Sequence, residues 1–485
     1  YIGAGTAAEF GHSYLCSAPL EALLLRIGAR IAESDAQPST RTAEGTRRWL
    51  HVISMPFALG GHTALARRWI ARNPYHERHD VALTFRAVED ADTALADAVA
   101  RAGGTLHSFS GIPSLLDRAA ALRRHARERA DVVVLHTHWW DVVPSLAFAV
   151  PGGLPILVMN HADHAFWVGT AVADVVVDIR DSGLALTRAL RGARSSAVLP
   201  VPLEDRGLAP HDRAAAAARL ADPSLLERSP VLLTIGSAHK YRPAGALDFF
   251  AAIARVMAAV PGAALIAVGP SASDAHWQRL AAQTGGRVAA VGTDADLAAW
   301  HAAADLYLEG FPIGSYTALL EVALAERAFV RKPWLAPPSV LPIDRGALAG
   351  FEPPPSPDAY VARVAALAGD VTARTALAKD ARRAVIATHC GEGWAAELGA
   401  LDRAIPPEHT VGLAFDPPPM PVQLAAYWAA VRNAKGGSDP LSFAQASAQK
   451  EGLRPRTDIA LLDALRRNTA DVHAVDLRHA SRNPG

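Results

Sequence analysis

Three titratable side chains fall within four positions of the stretch NHADHAFWVG: His161, Asp163 and His164. They follow an apolar run, LPILVM, that reads as a buried strand. Titratable groups at the end of such a run are hard to explain by packing. Two roles fit them. One is a general base that takes the proton of an acceptor hydroxyl. The other is a set of hydrogen-bond donors to a sugar. No third-ligand motif accompanies them, so nothing argues for a metal. His136 and His138, in HTHWWD, lie nearby by topology and suit structural roles. Trp139 and Trp140 suit the core or the wall of an acceptor groove.

Three further stretches carry polar chemistry after apolar runs. In GSAHKYRP, Gly236 lets the backbone turn, and Lys240 and Arg242 bring two positive charges just past a strand. Such charges could hold a diphosphate and offset its charge as it leaves. They equally suit an exposed loop. In FPIGSYTALLEVAL, the N–H groups of Gly314, Ser315, Tyr316 and Thr317 open a helix, and a helix start of this kind is a ready anion site. Glu321 lies four residues beyond Thr317, where it could accept hydrogen bonds from a ribose diol, as acidic residues do in nucleotide sites. Ordinary capping and a solvated glutamate are the alternative. Leu319, Leu320, Val322 and Leu324 leave that glutamate only a narrow polar stripe. In ALGGHT, Gly60 and Gly61 permit close backbone approach to a ligand, with His62 beside them. This is neither the dinucleotide fingerprint nor a phosphate-binding loop with its Lys-Ser/Thr pair.

Positioning these loops requires a repeated unit. RWLHVISM, DVALTF, GTLHSFS, DVVVLHTH, LPILVMN, DVVVDIRD and SSAVLPV are short β-rich runs separated by Ala- and Arg-rich helical stretches. Strands that lack clean alternation and are spaced by helices predict a parallel sheet covered on both faces. A helical connector, HDRAAAAARLADPSLLERS, follows. The pattern then restarts with PVLLTIG, AALIAVG, GRVAAVG, ADLYLEG and AFVRKP. The reading is α/β: two Rossmann-like, doubly wound domains facing a cleft. Open parallel sheets bind ligands beyond the C-terminal ends of their strands, which is where the four stretches fall. The expected organisation is a helical N-terminal extension over 1–48, a first Rossmann-like domain over 49–205 and a second over 228–370. Closing helices follow over 371–404, then a C-terminal extension over 405–485.

With 485 residues the chain exceeds one ordinary core. Lys+Arg and Asp+Glu both number 48, which argues against nucleic acid or an anionic membrane as main partner. Cys16 and Cys390 do not make a disulfide framework, and a reducing, cytoplasmic setting is the expectation. Apolar runs such as AFAVPGGLPILVMN are cut by Pro and Gly and are too short to span a membrane. No signal peptide is visible, although the chain starts at Tyr1 and not at Met.

The constellation resembles a GT-B fold glycosyltransferase. DLAAWHAAADLYLEGFPIGSYTALLEVALAERAFV is its most specific part. It looks most like the large bacterial family whose second domain carries a Glu-rich nucleotide-sugar motif. The likeness covers residues 50–404. That family has two glutamates separated by seven residues. Here the position of Glu321's partner is Ile313, and Glu309 is too far upstream, with eleven residues between it and Glu321. The longer PIGSYT loop is also similar to the diphosphate loop of enzymes like O-GlcNAc transferase. These departures leave retaining and inverting stereochemistry both open.

The resemblance implies transfer of a sugar from a nucleoside diphosphate donor, with UDP as the default nucleotide, to an unidentified acceptor. Lys240 and Arg242 would bind the diphosphate, Gly314 to Thr317 would cradle phosphates, and Glu321 would bind the ribose. Gly60, Gly61 and His62 would face the cleft near the transferred sugar. His161, with Asp163 and His164, would be the first domain's contribution to the reaction centre. No cofactor or metal is expected. An acceptor glycan, lipid-linked sugar, small molecule or protein would suit, as would a peripheral membrane contact through the terminal segments. Nucleotide-sugar epimerases share the fold. The missing glutamate partner also motivates a non-catalytic sugar-nucleotide-binding reading.

Overall fold

The computed structural model describes residues 14–31, 46–56, 61–208, 211–334, 344 and 346–434. Helix α1 (Ala18–Gly28) precedes the first sheet. That sheet has seven parallel strands: β1 (Arg48–Ile53), β2 (Arg78–Leu83), β3 (Leu106–Ser108), β4 (Val132–His136), β5 (Ile156–Asn160), β6 (Val175–Asp178) and β7 (Ser196–Val198). Their spatial order is β3-β2-β1-β4-β5-β6-β7. β4, β5 and β6 are buried along their whole length, as strands covered on both faces must be. Helix α2 (Gly61–Arg72) comes after β1, and helix α3 (Asp181–Leu190) comes after β6.

The second sheet holds β8 (Val231–Ile235), β9 (Ala264–Val268), β10 (Val288–Ala290), β11 (Leu306–Leu308) and β12 (Ala328–Val330), in the order β10-β9-β8-β11-β12. This repeats the 3-2-1-4-5 order of the first sheet. In both sheets the first and fourth strands are neighbours, so the chain changes direction across the sheet between them. A crevice at such a switch point is where open α/β sheets take ligands. Each strand expected from the sequence is present. The connector departs from expectation: only Ala214–Ala217 is α-helical, followed by a 3-10 turn over Pro223–Glu227. Asp222 caps that turn by accepting from the Ser224 N–H, with Pro223 at its first position.

Helix α4 (Tyr316–Leu324) joins β11 to β12. Then α5 (Val371–His389) and α6 (Gly391–Ala404) return to the first domain. The Trp394 indole donates to the Pro200 carbonyl at 2.9 Å, and Nδ1 of His389 donates to the Val201 carbonyl at 2.8 Å. One apolar cluster runs from Trp49 and Leu157 of the first domain through Leu233 and Leu320 of the second to Trp394. Burial of this common core fixes the two sheets relative to each other. The last described helix, α7 (Val422–Ala434), bears out the helix expected from PVQLAAYWAAVRNA. The 34–46 linker is outside the described residues apart from Thr46. So is the helix expected at TDIALLDALRRN. Cys16 and Cys390 are both free and buried. Among the described residues no helix is long and apolar enough to cross a membrane.

Candidate functional site

The loop after β8 meets the loop after β11. The Ile313 N–H donates to the Lys240 carbonyl at 3.2 Å, and the Lys240 ammonium donates to Ser315 Oγ at 3.1 Å. Gly236 faces the same point: a Cβ there would lie 3.0 Å from both Ser315 Oγ and the Tyr241 hydroxyl. A larger residue would crowd both hydroxyls. Ser315 is the N-cap of α4, yet its side chain caps no backbone N–H. Its hydroxyl is turned to Lys240 instead. The start of α4 therefore keeps its positive end without a side-chain cap, beside an ammonium group. Gly236, Lys240, Gly314, Ser315, Tyr316 and Thr317 thus come together as the spacing implies, with Arg242 two residues on and partly buried.

Both glutamates of this region are engaged. Glu309 is buried beneath the loop: its Oε2 accepts from the Lys332 N–H at 2.9 Å, and its Oε1 fills the place where a Cβ on Gly314 would stand. Gly314 is required because this carboxylate occupies the space a side chain would need. Glu321 reaches across the cleft. Its Oε1 pairs with the guanidinium of Arg68 on α2, and both side chains are about one-fifth exposed. Neither Arg68 nor Lys332 stands out in the sequence. Arg68 is one of the arginines of an ordinary amphipathic helix, and Lys332 is one charge at the end of a strand.

On the first-domain side, Asp163 is buried and held by Arg180, whose Nη2 lies 2.6 Å from Oδ2. Burial raises its pKa, but Arg180 and His164 outweigh that and hold the carboxyl well below the usual carboxylate range. A carboxylate that acidic is a weak base. Arg180 also lies over the Tyr316 ring, 5.2 Å from its centroid, and 3.7 Å from Asp344 Oδ2. Asp344 in turn accepts from the Ser182 N–H at 2.9 Å. Asp163 thus anchors an arginine that touches the start of α4. The His164 ring stacks on Trp428 of α7 with centroids 4.5 Å apart, and Tyr427 donates to the Pro312 carbonyl at 2.8 Å. Helix α7 therefore touches a site loop of each domain. Nothing in its own sequence marks it for that, because both partners lie in distant segments.

Gly60 lies outside the described residues. Gly61 opens α2, and a Cβ there would meet no atom within 4 Å, so no protein contact requires glycine at that position. His62 stacks on His161 with centroids 4.1 Å apart, and burial lowers its pKa to about 4. Behind them lies a row of imidazoles that the sequence alone does not assemble. His136 Nδ1 is 3.2 Å from His161 Nε2, His51 Nδ1 is 3.0 Å from His136 Nε2, and His79 Nδ1 is 2.9 Å from His51 Nε2. Burial, reinforced by the neighbouring rings His62 and His136, holds His161 well below its ordinary value. It is neutral at pH 7. A cavity of about 20 Å³ borders His62, His161, Trp139 and Trp167, room for a water but not for a sugar ring. Among the described residues no group of three or more His, Cys, Asp or Glu could hold a metal ion.

No family model matches the chain, and no curated protein matches it. Solved structures do. Alr3699/HepE of Anabaena, in complex with UDP and glucose, is 16% identical with a TM-score of 0.56, covering 74% of this chain and 100% of that one. A mutant of the Thermobaculum terrenum O-GlcNAc transferase is 14% identical with a TM-score of 0.52, covering 89% of this chain and 78% of that one. A glycosyltransferase from Rickettsia africae is 11% identical with a TM-score of 0.51, covering 74% and 98%. With its two switch-point sheets, closing helices and these structural neighbours, the chain has the GT-B fold.

Proposed function

We propose that this protein is a glycosyltransferase that moves a sugar from a nucleoside diphosphate donor, UDP being the nucleotide, to a hydroxyl acceptor. The carrying observation is the convergence of Lys240, Ser315 and Gly236 at the uncapped start of α4. That arrangement presents an ammonium and helix N–H groups to one point, as a diphosphate needs. The presence of UDP in the Anabaena neighbour supports the choice of nucleotide.

In the reaction the bond from the sugar's anomeric carbon to the diphosphate oxygen breaks, a bond to the acceptor oxygen forms, and the acceptor hydroxyl's proton passes to the departing diphosphate. Negative charge grows on the departing diphosphate. Lys240, Arg242 and the start of α4 offset it, so the chain's own groups supply the positive charge that a metal would otherwise bring. Glu321 receives the ribose hydroxyls, with one of its oxygens already steadied by Arg68. The acceptor lies on the first-domain side, near His62 and His161. Asp163 acts through Arg180, which fixes the approach of the first domain to Tyr316.

A thermal-shift panel tests this reading. UDP and UDP-sugars should raise the melting temperature in a concentration-dependent way, because a ligand that binds only the folded state stabilises it. A panel of nucleoside diphosphates and their sugars that leaves the melting temperature unmoved would sink it.

A further inference from the structure

The buried histidine row has a direction, and its far end sets it. Asn73 Nδ2 lies 2.9 Å from His79 Nε2 and 2.7 Å from Glu77 Oε2, while Asn73 Oδ1 accepts from the Tyr75 N–H at 2.8 Å. A backbone N–H can only donate and a carboxylate can only accept, so the amide is fixed with its NH2 group towards His79. His79 must then accept at Nε2 and carry its proton on Nδ1. That proton faces His51 Nε2, which forces the proton of His51 onto Nδ1. The same step repeats from His51 to His136 and from His136 to His161. All four rings use Nε2 towards Asn73 and Nδ1 towards the cleft. The rings cross the sheet one strand at a time, from β2 through β1 and β4 to the end of β5.

We propose that Asn73, His79, His51 and His136 are positioning residues that fix His161 as a neutral donor with its proton on Nδ1. His161 then enters the cleft as an N–H and not as a lone pair. Its Nε2 is spent accepting from His136, and its Nδ1, which has no hydrogen-bond partner among the described residues, carries the proton. Such a group donates to a sugar or acceptor oxygen. It cannot serve as the base that takes the acceptor's proton without reversing the whole row. That His161 meets a sugar rests on the transferase reading; the tautomer does not.

The test is nitrogen-15 NMR of the full chain labelled at histidine, with signals assigned by single substitutions. In the unsubstituted protein His51, His79, His136 and His161 should each show a protonated Nδ1 and an unprotonated Nε2. Asn73→Asp replaces the donor with an acceptor, so His79 must donate from Nε2 and every ring behind it must turn over. His161, four hydrogen bonds away, should switch its proton from Nδ1 to Nε2. A proton on Nε2 of His161 in the unsubstituted protein would overturn the proposal, and that result does not depend on whether the variant folds. So would a folded Asn73→Asp protein in which His161 keeps its tautomer. The measurement needs no nucleotide. Its failure would leave the donor site standing, and loss of UDP binding would leave the histidine row standing.

Discussion

Lys240 and Glu321 divide one ligand between them, and that division is testable. Inorganic pyrophosphate carries only the part assigned to Lys240, whereas UDP carries both parts. Lys240→Ala should weaken both ligands at least about tenfold, the loss of a charge-assisted hydrogen bond being worth about 1.5–3 kcal/mol. Glu321→Ala should weaken UDP by about tenfold and leave pyrophosphate unchanged. Competition binding with both ligands separates the two outcomes. Arg68→Ala should cost less than about 1 kcal/mol of stability in chemical denaturation, because the pair it leaves is partly solvated. Lys240 and Glu321 are legible in the sequence because their segments are local: a glycine turn with cations, a helix with one carboxylate. Arg68 is not, since 253 residues separate it from Glu321. Asp163 is visible as a carboxylate, but its commitment to Arg180 is not, because an ion pair shows only when the strands are side by side. Glu309 stands too far from Glu321 to match the paired-glutamate spacing, yet the fold brings it under Gly314.

The histidine row makes the first sheet acid-sensitive. Burial drives His79 to about 4 and His136 to about 3, from an ordinary 6.5. Below pH 6.5 the unfolded chain takes up protons that the folded rings refuse. Their contribution to stability is therefore complete above pH 6.5 and is lost as pH falls towards the folded values. Asp80 beside His79 opposes part of this effect. The melting temperature should fall by about 5 °C or more between pH 7 and pH 4.5. A His51→Gln, His136→Gln variant should show a shallower decline, measured by calorimetry. All twelve strands are legible in the sequence: the interior ones because a parallel sheet covered on both faces leaves continuous apolar runs, the partly buried edge strands β3, β7 and β10 because they recur between helical stretches. The connector reads as more helical than it is because five alanines outweigh an Asp-Pro turn in any propensity argument. Only part of the histidine row can be read from the sequence: His161 stands out after its strand and His136 lies near it by topology, but His51 and His79 look like isolated core histidines until register is known.

For the whole molecule, α7 is the element whose purpose the sequence leaves open. It closes on both halves of the cleft through Trp428 on His164 and Tyr427 on the Pro312 carbonyl. Removing both contacts with Tyr427→Phe and Trp428→Ala should raise amide exchange in residues 161–165 and 311–317 together. A change confined to one side would mean that α7 serves one domain only. The domain pattern is legible as two βα series of similar size. Their packing is not, because it depends on long-range contacts such as Trp394 with Pro200. The transferase reading stands or falls with a nucleotide-diphosphate site at the start of α4, held by Lys240. Calorimetric titration of UDP into the unsubstituted protein and into Lys240→Ala is the decisive measurement. One saturable site is expected in the first and at least about tenfold weaker binding in the second. Absence of binding to the unsubstituted protein, or equal affinity in the two, would contradict it.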